Sequence, residues 1–176
     1  MTEGPRFEAL AMPLFEALYN YARWLAREPA EAEDLVQETY LKGLRGFRSF
    51  APGTNFKAWM FRILRNTFLT SRTGLRAVPP LSIEEEPEAV MQLAATDGTP
   101  ETRLFHRANA EILREAIGNL PLPFREVLLL SDVEELSYRE IGEILSIPIG
   151  TVTSRLIRAR RKMREAIEAS VMRGVQ

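Results

Sequence analysis

Between Leu136 and Met163 the chain reads LSYREIGEILSIPIGTVTSRLIRARRKM. Six cations, Arg155, Arg158, Arg160, Arg161, Lys162 and Arg164, fall within ten residues, and no acid lies between Glu143 and Glu165. A solvated helix ordinarily interleaves Glu with Lys at i, i+4. Charge of one sign repels itself and is tolerated best where phosphates neutralise it. The chemistry on offer is recognition of a polyanion: guanidinium forks that fit phosphates and guanine edges.

The flanking residues give these cations a frame. Ser137 followed by Glu140 has the spacing of a capping box. Ile141, Ile144 and Leu145 recur at i, i+3, i+4 and make one apolar face. Ser146 to Pro148 must end that helix, because proline cannot continue it and restricts the residue before it. A second helix is predicted from near Ile149, with Val152, Leu156, Ala159 and Met163 facing inward. Thr151, Ser154, Arg158 and Arg161 point the opposite way, flanked by Thr153 and Ile157. This is the form of a helix-turn-helix whose second helix enters a DNA major groove.

Composition narrows the remaining classes. The 176 residues are 45% hydrophobic and 27% charged, enough for one or two small domains. The net charge is −1, so the basic character is local. Residues 72–103 reverse it, with Arg72, Arg76 and Arg103 against Glu84, Glu85, Glu86, Glu88, Asp97 and Glu101. There is no cysteine and a single histidine, His106, expected half-exposed on the first helix of the second domain. Disulfides and thiolate metal sites are therefore excluded. No Gly-rich phosphate loop, metal-ligand set or nucleophile–base pair stands out, so no catalytic residue, metal or cofactor is expected and the chain is not read as an enzyme. No apolar run is long enough to span a bilayer, and MTEGPRFEAL is no signal peptide. Cytoplasmic residence and no membrane insertion follow as expectations.

Helical periods dominate upstream. Leu14, Leu18, Tyr21, Ala22 and Leu25 follow Pro13, a good first-turn residue. A second helix is predicted from Pro29 to about Gly46, with Glu31, Glu33 and Asp34 near its positive N-terminal end. After an irregular stretch with Pro52 and Gly53, Asn55 caps a third helix running to about Ser71. Trp59 is assigned to the core by its spacing with Phe56 and Ile63. Residues 74–100, with Gly74, Pro79, Pro80, Pro87, Gly98 and Pro100, read as a linker. A helix over 101–119, a Pro121–Pro123 turn and a helix through Phe124–Ser131 precede the basic motif. The expected architecture is all-α: two small helical domains, 1–73 and 101–176, joined by the acidic linker.

Taken together these segments resemble an extracytoplasmic-function (ECF) sigma factor of bacterial RNA polymerase, in the sigma-70 family. AEAEDLVQETYLKGLRGF (30–47) is similar to regions 2.1–2.2, GTNFKAWMFRILRNTFLTSR (53–72) to regions 2.3–2.4, and residues 120–163 to region 4. The resemblance implies docking of Asp34, Gln37, Glu38 and Leu41 on the clamp helices of the polymerase's largest subunit, and of region 4 on the flap of the second-largest. It implies capture of a flipped base of the −10 element by the loop holding Ser49, Phe50, Gly53, Thr54 and Asn55. Lys57, Arg62, Arg65 and Asn66 would meet the duplex there. The −35 element would be read by Thr151, Ser154 and Arg158, with Arg155, Arg161 and Lys162 on phosphates. Thr153 stands where family members often carry Arg or Lys. The acidic linker would thread the RNA path, and an anti-sigma factor would control the whole. The competing reading is a stand-alone helix-turn-helix regulator, which would need an effector pocket or dimer face in place of the first domain's acidic helix, loop and Arg/aromatic helix.

Overall fold

In the computed structural model, residues 4–73 and 110–174 are described. Their order is α1 (Gly4–Ala11), a 3-10 turn (Met12–Leu14), α2 (Phe15–Leu25), α3 (Pro29–Gly46), a 3-10 turn (Phe47–Ser49) and α4 (Phe56–Thr73). Then follow α5 (Ala110–Asn119), α6 (Leu122–Leu128), a π turn (Leu129–Val133), α7 (Tyr138–Leu145) and α8 (Ile149–Gly174). Every regular element among the described residues is helical, as the periodicity required. The expected acidic linker and His106 lie outside the described residues.

The described chain forms two compact units, 4–73 with 139–147, and 110–138 with 148–174. In the first, α3 starts at Pro29, which needs no N–H partner, and carries Glu31 in its first turn and Arg45 in its last. α4 starts on Asn55, whose Oδ1 accepts from the Ala58 N–H at 3.3 Å. This is the cap its sequence predicted. The two helices run antiparallel. Arg72 near the end of α4 meets Glu31 near the start of α3 at 2.8 Å, and Lys42 donates to Thr67 Oγ1 at 3.3 Å. Between them and α2 lie Leu18, Tyr21, Met60, Phe61 and Leu64, all essentially solvent-free. Gly43 lets α4 come close: a Cβ there would stand 2.9 Å from Met60 Sδ and 3.1 Å from Phe7 Cζ.

The first helix, α1, was not anticipated from the sequence. Phe7 and Ala11 are buried, and Phe7 stands edge-on to Tyr40, Phe47 and Phe56 at ring separations of 6.5, 5.5 and 6.0 Å. The Tyr40 hydroxyl donates to the Ala11 carbonyl at 2.6 Å, tying α3 to the end of α1. Burial pushes the Tyr40 phenol pKa up, so it stays a donor.

In the second unit α5 and α6 pack on α8. Val152, Leu156, Ala159, Met163 and Ile167 are buried on one stripe of α8, the four inward residues of the sequence reading plus one more turn. Arg125 closes the end of α5, donating to the carbonyls of Ile117, Gly118 and Leu120 at 3.1, 2.8 and 2.9 Å. These are carbonyls at the helix end, where intrahelical donors run out, and Ile117 O also accepts from the Leu120 N–H at 3.1 Å. The helix expected through Ser131 widens instead into the π turn, where Glu134 N–H reaches back to Leu129 O at 3.0 Å and Glu135 takes φ +56°. Between α7 and α8, Ser146 takes φ +56° and the Ile147 N–H bonds the Gly142 carbonyl at 3.0 Å. Pro148 then accepts from the N–H groups of Thr151 and Val152, starting α8 where expected.

Candidate functional site

Three groups of candidate residues fall on three different surfaces. The first is on α3. Asp34, Gln37, Glu38 and Leu41 occupy about 100° of helix circumference, so they form one face. Asp34 and Gln37 are exposed, Glu38 is half-exposed and Leu41 keeps 47% of its surface in solvent. From Ala30 to Leu41 the helix carries Glu31, Glu33, Asp34 and Glu38 and no cation.

The second surface is the loop before α4. Residues Ala51 to Asn55 and Ser49 are exposed. Ser49 Oγ donates to Gly46 O and Thr54 Oγ1 to Ala51 O, each at 2.7 Å. Each hydroxyl hydrogen is thus spent on the loop, and the oxygen lone pairs are left as acceptors. Gly53 takes φ +87°, a conformation that side chains strain to adopt, and has nothing within 4 Å of where a Cβ would sit. The loop rests on aromatics. Phe50 stacks on Phe47 at 6.2 Å and meets Phe56 and Trp59 at 5.2 and 5.3 Å. Phe50 and Trp59 are both half-buried, so Trp59 is shared between core and surface rather than wholly core.

Along α4, Arg62 and Asn66 are exposed four residues apart, and Lys57 is half-exposed. Arg65 departs from the expectation: it is 8% exposed, and one guanidinium nitrogen lies 3.5 Å from Leu145 O at the end of α7. A cation at a helix C-terminus meets carbonyls with partial negative charge. As placed, Arg65 packs against the end of α7 within the first unit. Asn55, besides capping α4, donates from Nδ2 to Glu140 Oε1 at 2.9 Å.

The third surface is on α8. Thr151, Thr153, Ser154 and Arg158 are half-exposed, and Arg161 and Lys162 are exposed. Thr153 Oγ1 bonds Ile149 O and Ser154 Oγ bonds Thr151 O, both at 3.1 Å. The Lys162 ammonium lies over the Phe124 ring, 5.8 Å from its centroid, while the residue as a whole stays exposed. Arg155, expected on phosphates, is largely enclosed. It is 7% exposed, on the side of Val152 and Leu156, because three residues along a helix return to nearly the same face. Arg160 is likewise committed within the unit, to Asp132. Of the four basic residues expected on DNA here, Arg158, Arg161 and Lys162 reach the surface and Arg155 is turned inward.

Among the described residues no group of His, Asp and Glu is arranged to hold a metal ion, and no helix is long and apolar enough to cross a membrane.

An acid-faced helix, a loop ahead of a capped Arg-bearing helix, and a basic helix after a proline turn are the three candidate surfaces of an all-helical, two-unit protein. Comparison with known proteins gives that class its family. Residues 12–77 match Sigma-70 region 2, and residues 110–163 match Sigma-70, region 4. The chain is 36% identical over 163 residues to the ECF RNA polymerase sigma factor SigE of Mycolicibacterium smegmatis, an alignment covering 92% of this chain but 61% of that protein. It is 32% identical over 150 residues to the ECF RNA polymerase sigma-E factor of Haemophilus influenzae, covering 83% and 78% of the two chains. Among solved structures, the sigma factor RpoE in complex with the anti-sigma factor NepR from Bartonella quintana aligns with a TM-score of 0.68 at 27% identity, over 93% of this chain and 97% of that one. CnrH, in complex with the cytosolic domain of CnrY, shares the fold with a TM-score of 0.65 at 24% identity, over 95% and 91%. The chain belongs to the ECF sigma factors of the sigma-70 family.

Proposed function

We propose that this sigma factor selects promoters by gripping DNA at two places while docked on the RNA polymerase core enzyme. The loop Ser49–Asn55 takes a base of the −10 element out of the stack. Its outward lone pairs accept from exocyclic amines, and Gly53 leaves backbone room for close approach. Arg62, Asn66 and Lys57 hold the adjoining duplex. Thr151, Thr153, Ser154 and Arg158 meet base edges of the −35 element, while Arg161 and Lys162 neutralise phosphates. Asp34, Gln37, Glu38 and Leu41 dock on the polymerase clamp helices, and the second unit rests on the flap. Neither DNA surface needs high affinity alone, because the polymerase holds both near the promoter and raises their effective concentration. Control by an anti-sigma factor follows the Bartonella relative, which was solved bound to one.

The observation that carries this reading is that the acidic face of α3 and the loop before α4 belong to one unit. A stand-alone regulator has no use for that pairing. In vitro transcription with bacterial core enzyme on a promoter library tests it. The expected result is initiation from a subset of promoters only when the chain is added. Tight, specific DNA binding by the chain alone with no binding to core enzyme would sink the reading in favour of a stand-alone regulator.

A further inference from the structure

Beside the acidic face of α3 runs an apolar groove of about 390 Å³, between α1 and α3. Phe7 forms its floor, Ala11 and Met12 one wall, and Tyr40, Leu41 and Leu44 the other. Met12, Leu41 and Leu44 are 61%, 47% and 49% exposed, and Phe15, half exposed, extends the apolar rim from its place 6.2 Å from Tyr40. Exposed apolar side chains scattered singly are ordinary, but these gather along one furrow, which marks an interaction surface. The Tyr40–Ala11 hydrogen bond and the edge-on Phe7–Tyr40 contact hold the walls together, so the groove is formed before anything enters it.

We propose that this groove is a socket for an apolar side chain of the RNA polymerase core enzyme, and that α1 is thereby part of the docking surface. The proposal rests on the reading of α3 as the docking helix. Two observations choose the occupant. The groove is continuous with the docking face, since Gln37 and Leu41 belong to both. The surface is also graded: Glu33, Asp34 and Glu38 make the N-terminal half of the α3 face acidic, and Leu41 and Leu44 make the C-terminal half apolar. From Asp34 to Leu44 is about 15 Å at 1.5 Å per residue. The complementary partner is a helix with basic groups at one end and an apolar anchor about three turns along, laid on the face in the helix-in-groove manner. The anchor drops between α3 and α1. The residues matched to Sigma-70 region 2 begin at Met12, so α1 lies ahead of the matched segment.

The test is a titration of fluorescently labelled full-length protein with purified bacterial core enzyme, read by anisotropy. Met12→Glu and Leu44→Glu each place a charge in the groove at positions already half open to solvent. Each is expected to raise the Kd at least tenfold while the thermal melt stays near that of the parent. Leu44→Met, which keeps an apolar filler, is expected to bind like the parent. Asn20→Glu, at an exposed position of α2 outside the groove and the acidic face, is expected to change nothing. Asp34→Lys with Glu38→Lys reports on the docking helix itself. If the acid reversals weaken binding and the groove variants do not, the socket is wrong and the docking helix stands. If neither set weakens binding, the docking helix is wrong and the socket falls with it. Equal weakening by Asn20→Glu would also overturn the socket, since the loss would then be general to surface charge.

Discussion

Arg160 holds Asp132 through two bonds, Nε to Oδ2 at 3.2 Å and Nη2 to Oδ1 at 2.6 Å. The fork ties α8 to the π turn and removes one guanidinium from the basic run. The bond to Asp132 is also the leading cause that raises the Arg160 pKa. A raised cation pKa means that the pair's stabilisation is fully present wherever arginine is ordinarily charged and is lost only above that range.

Asp132→Ala should therefore lower stability by about 1 kcal/mol, in keeping with a bidentate pair that is only partly desolvated. A double-mutant cycle with Arg160→Ala, followed by urea unfolding, measures the coupling. Arg160→Ala should leave the salt dependence of DNA binding unchanged, whereas Arg161→Ala should reduce its slope by about 1.

Arg155 and Arg158 sit three residues apart and should behave oppositely. Arg158→Ala is expected to cost about 1–3 kcal/mol of binding at the cognate −35 element and to relax preference there. Arg155→Ala is expected to lower the melting temperature, because a buried guanidinium and its surroundings are disrupted together. Binding titrations on cognate and scrambled duplexes, run beside thermal melts, separate the two. A uniform loss across sequences for Arg158→Ala would remove it from the base-reading set.

Asn55 combines a cap and a candidate base contact. Asn55→Ala should destabilise the first unit by about 1 kcal/mol through loss of the α4 cap. Asn55→Ser keeps a capping oxygen but discards the amide donor, and with it the exposed bond to Glu140, without adding a charge. It should keep most of the melting temperature while slowing promoter opening, followed by permanganate reactivity of unpaired thymines.

Gly43→Ala tests how close α3 and α4 must come. Ala favours a helix over Gly by about 1 kcal/mol. Here the added methyl meets Met60 Sδ and Phe7 in a packed core, and overpacking costs about 1–3 kcal/mol. The net expectation is destabilisation, measured by urea unfolding.

The sequence was most readable where one local rule acts alone. Pro29 and the acids after it placed the start of α3, Asn55 placed α4, and the run Ser146–Pro148 placed the break before α8. Charge counting was less reliable. Arg155, Arg160 and Arg65 look equivalent to Arg158 and Arg62 in a string of letters. Which side of a helix meets another element, and where a single Asp waits, depends on tertiary packing that local spacing does not encode. The first helix had a signal that went unused: Phe7, Leu10 and Ala11 recur at i, i+3, i+4 after Pro5. It is short, and its reason for existing lies forty residues away in Phe47 and Phe56.

That distance has a consequence for how the protein is made. Phe7 leaves the ribosome well before the rings that enclose it. At synthesis rates of about 5–20 residues per second, it waits roughly two to ten seconds for Phe56. During that interval the nascent chain carries an unsatisfied aromatic near its leading end. The arrival of α4 is thus the event that closes the first unit's core around α1, so a pause in translation before residue 56 would lengthen the window in which chaperones can bind.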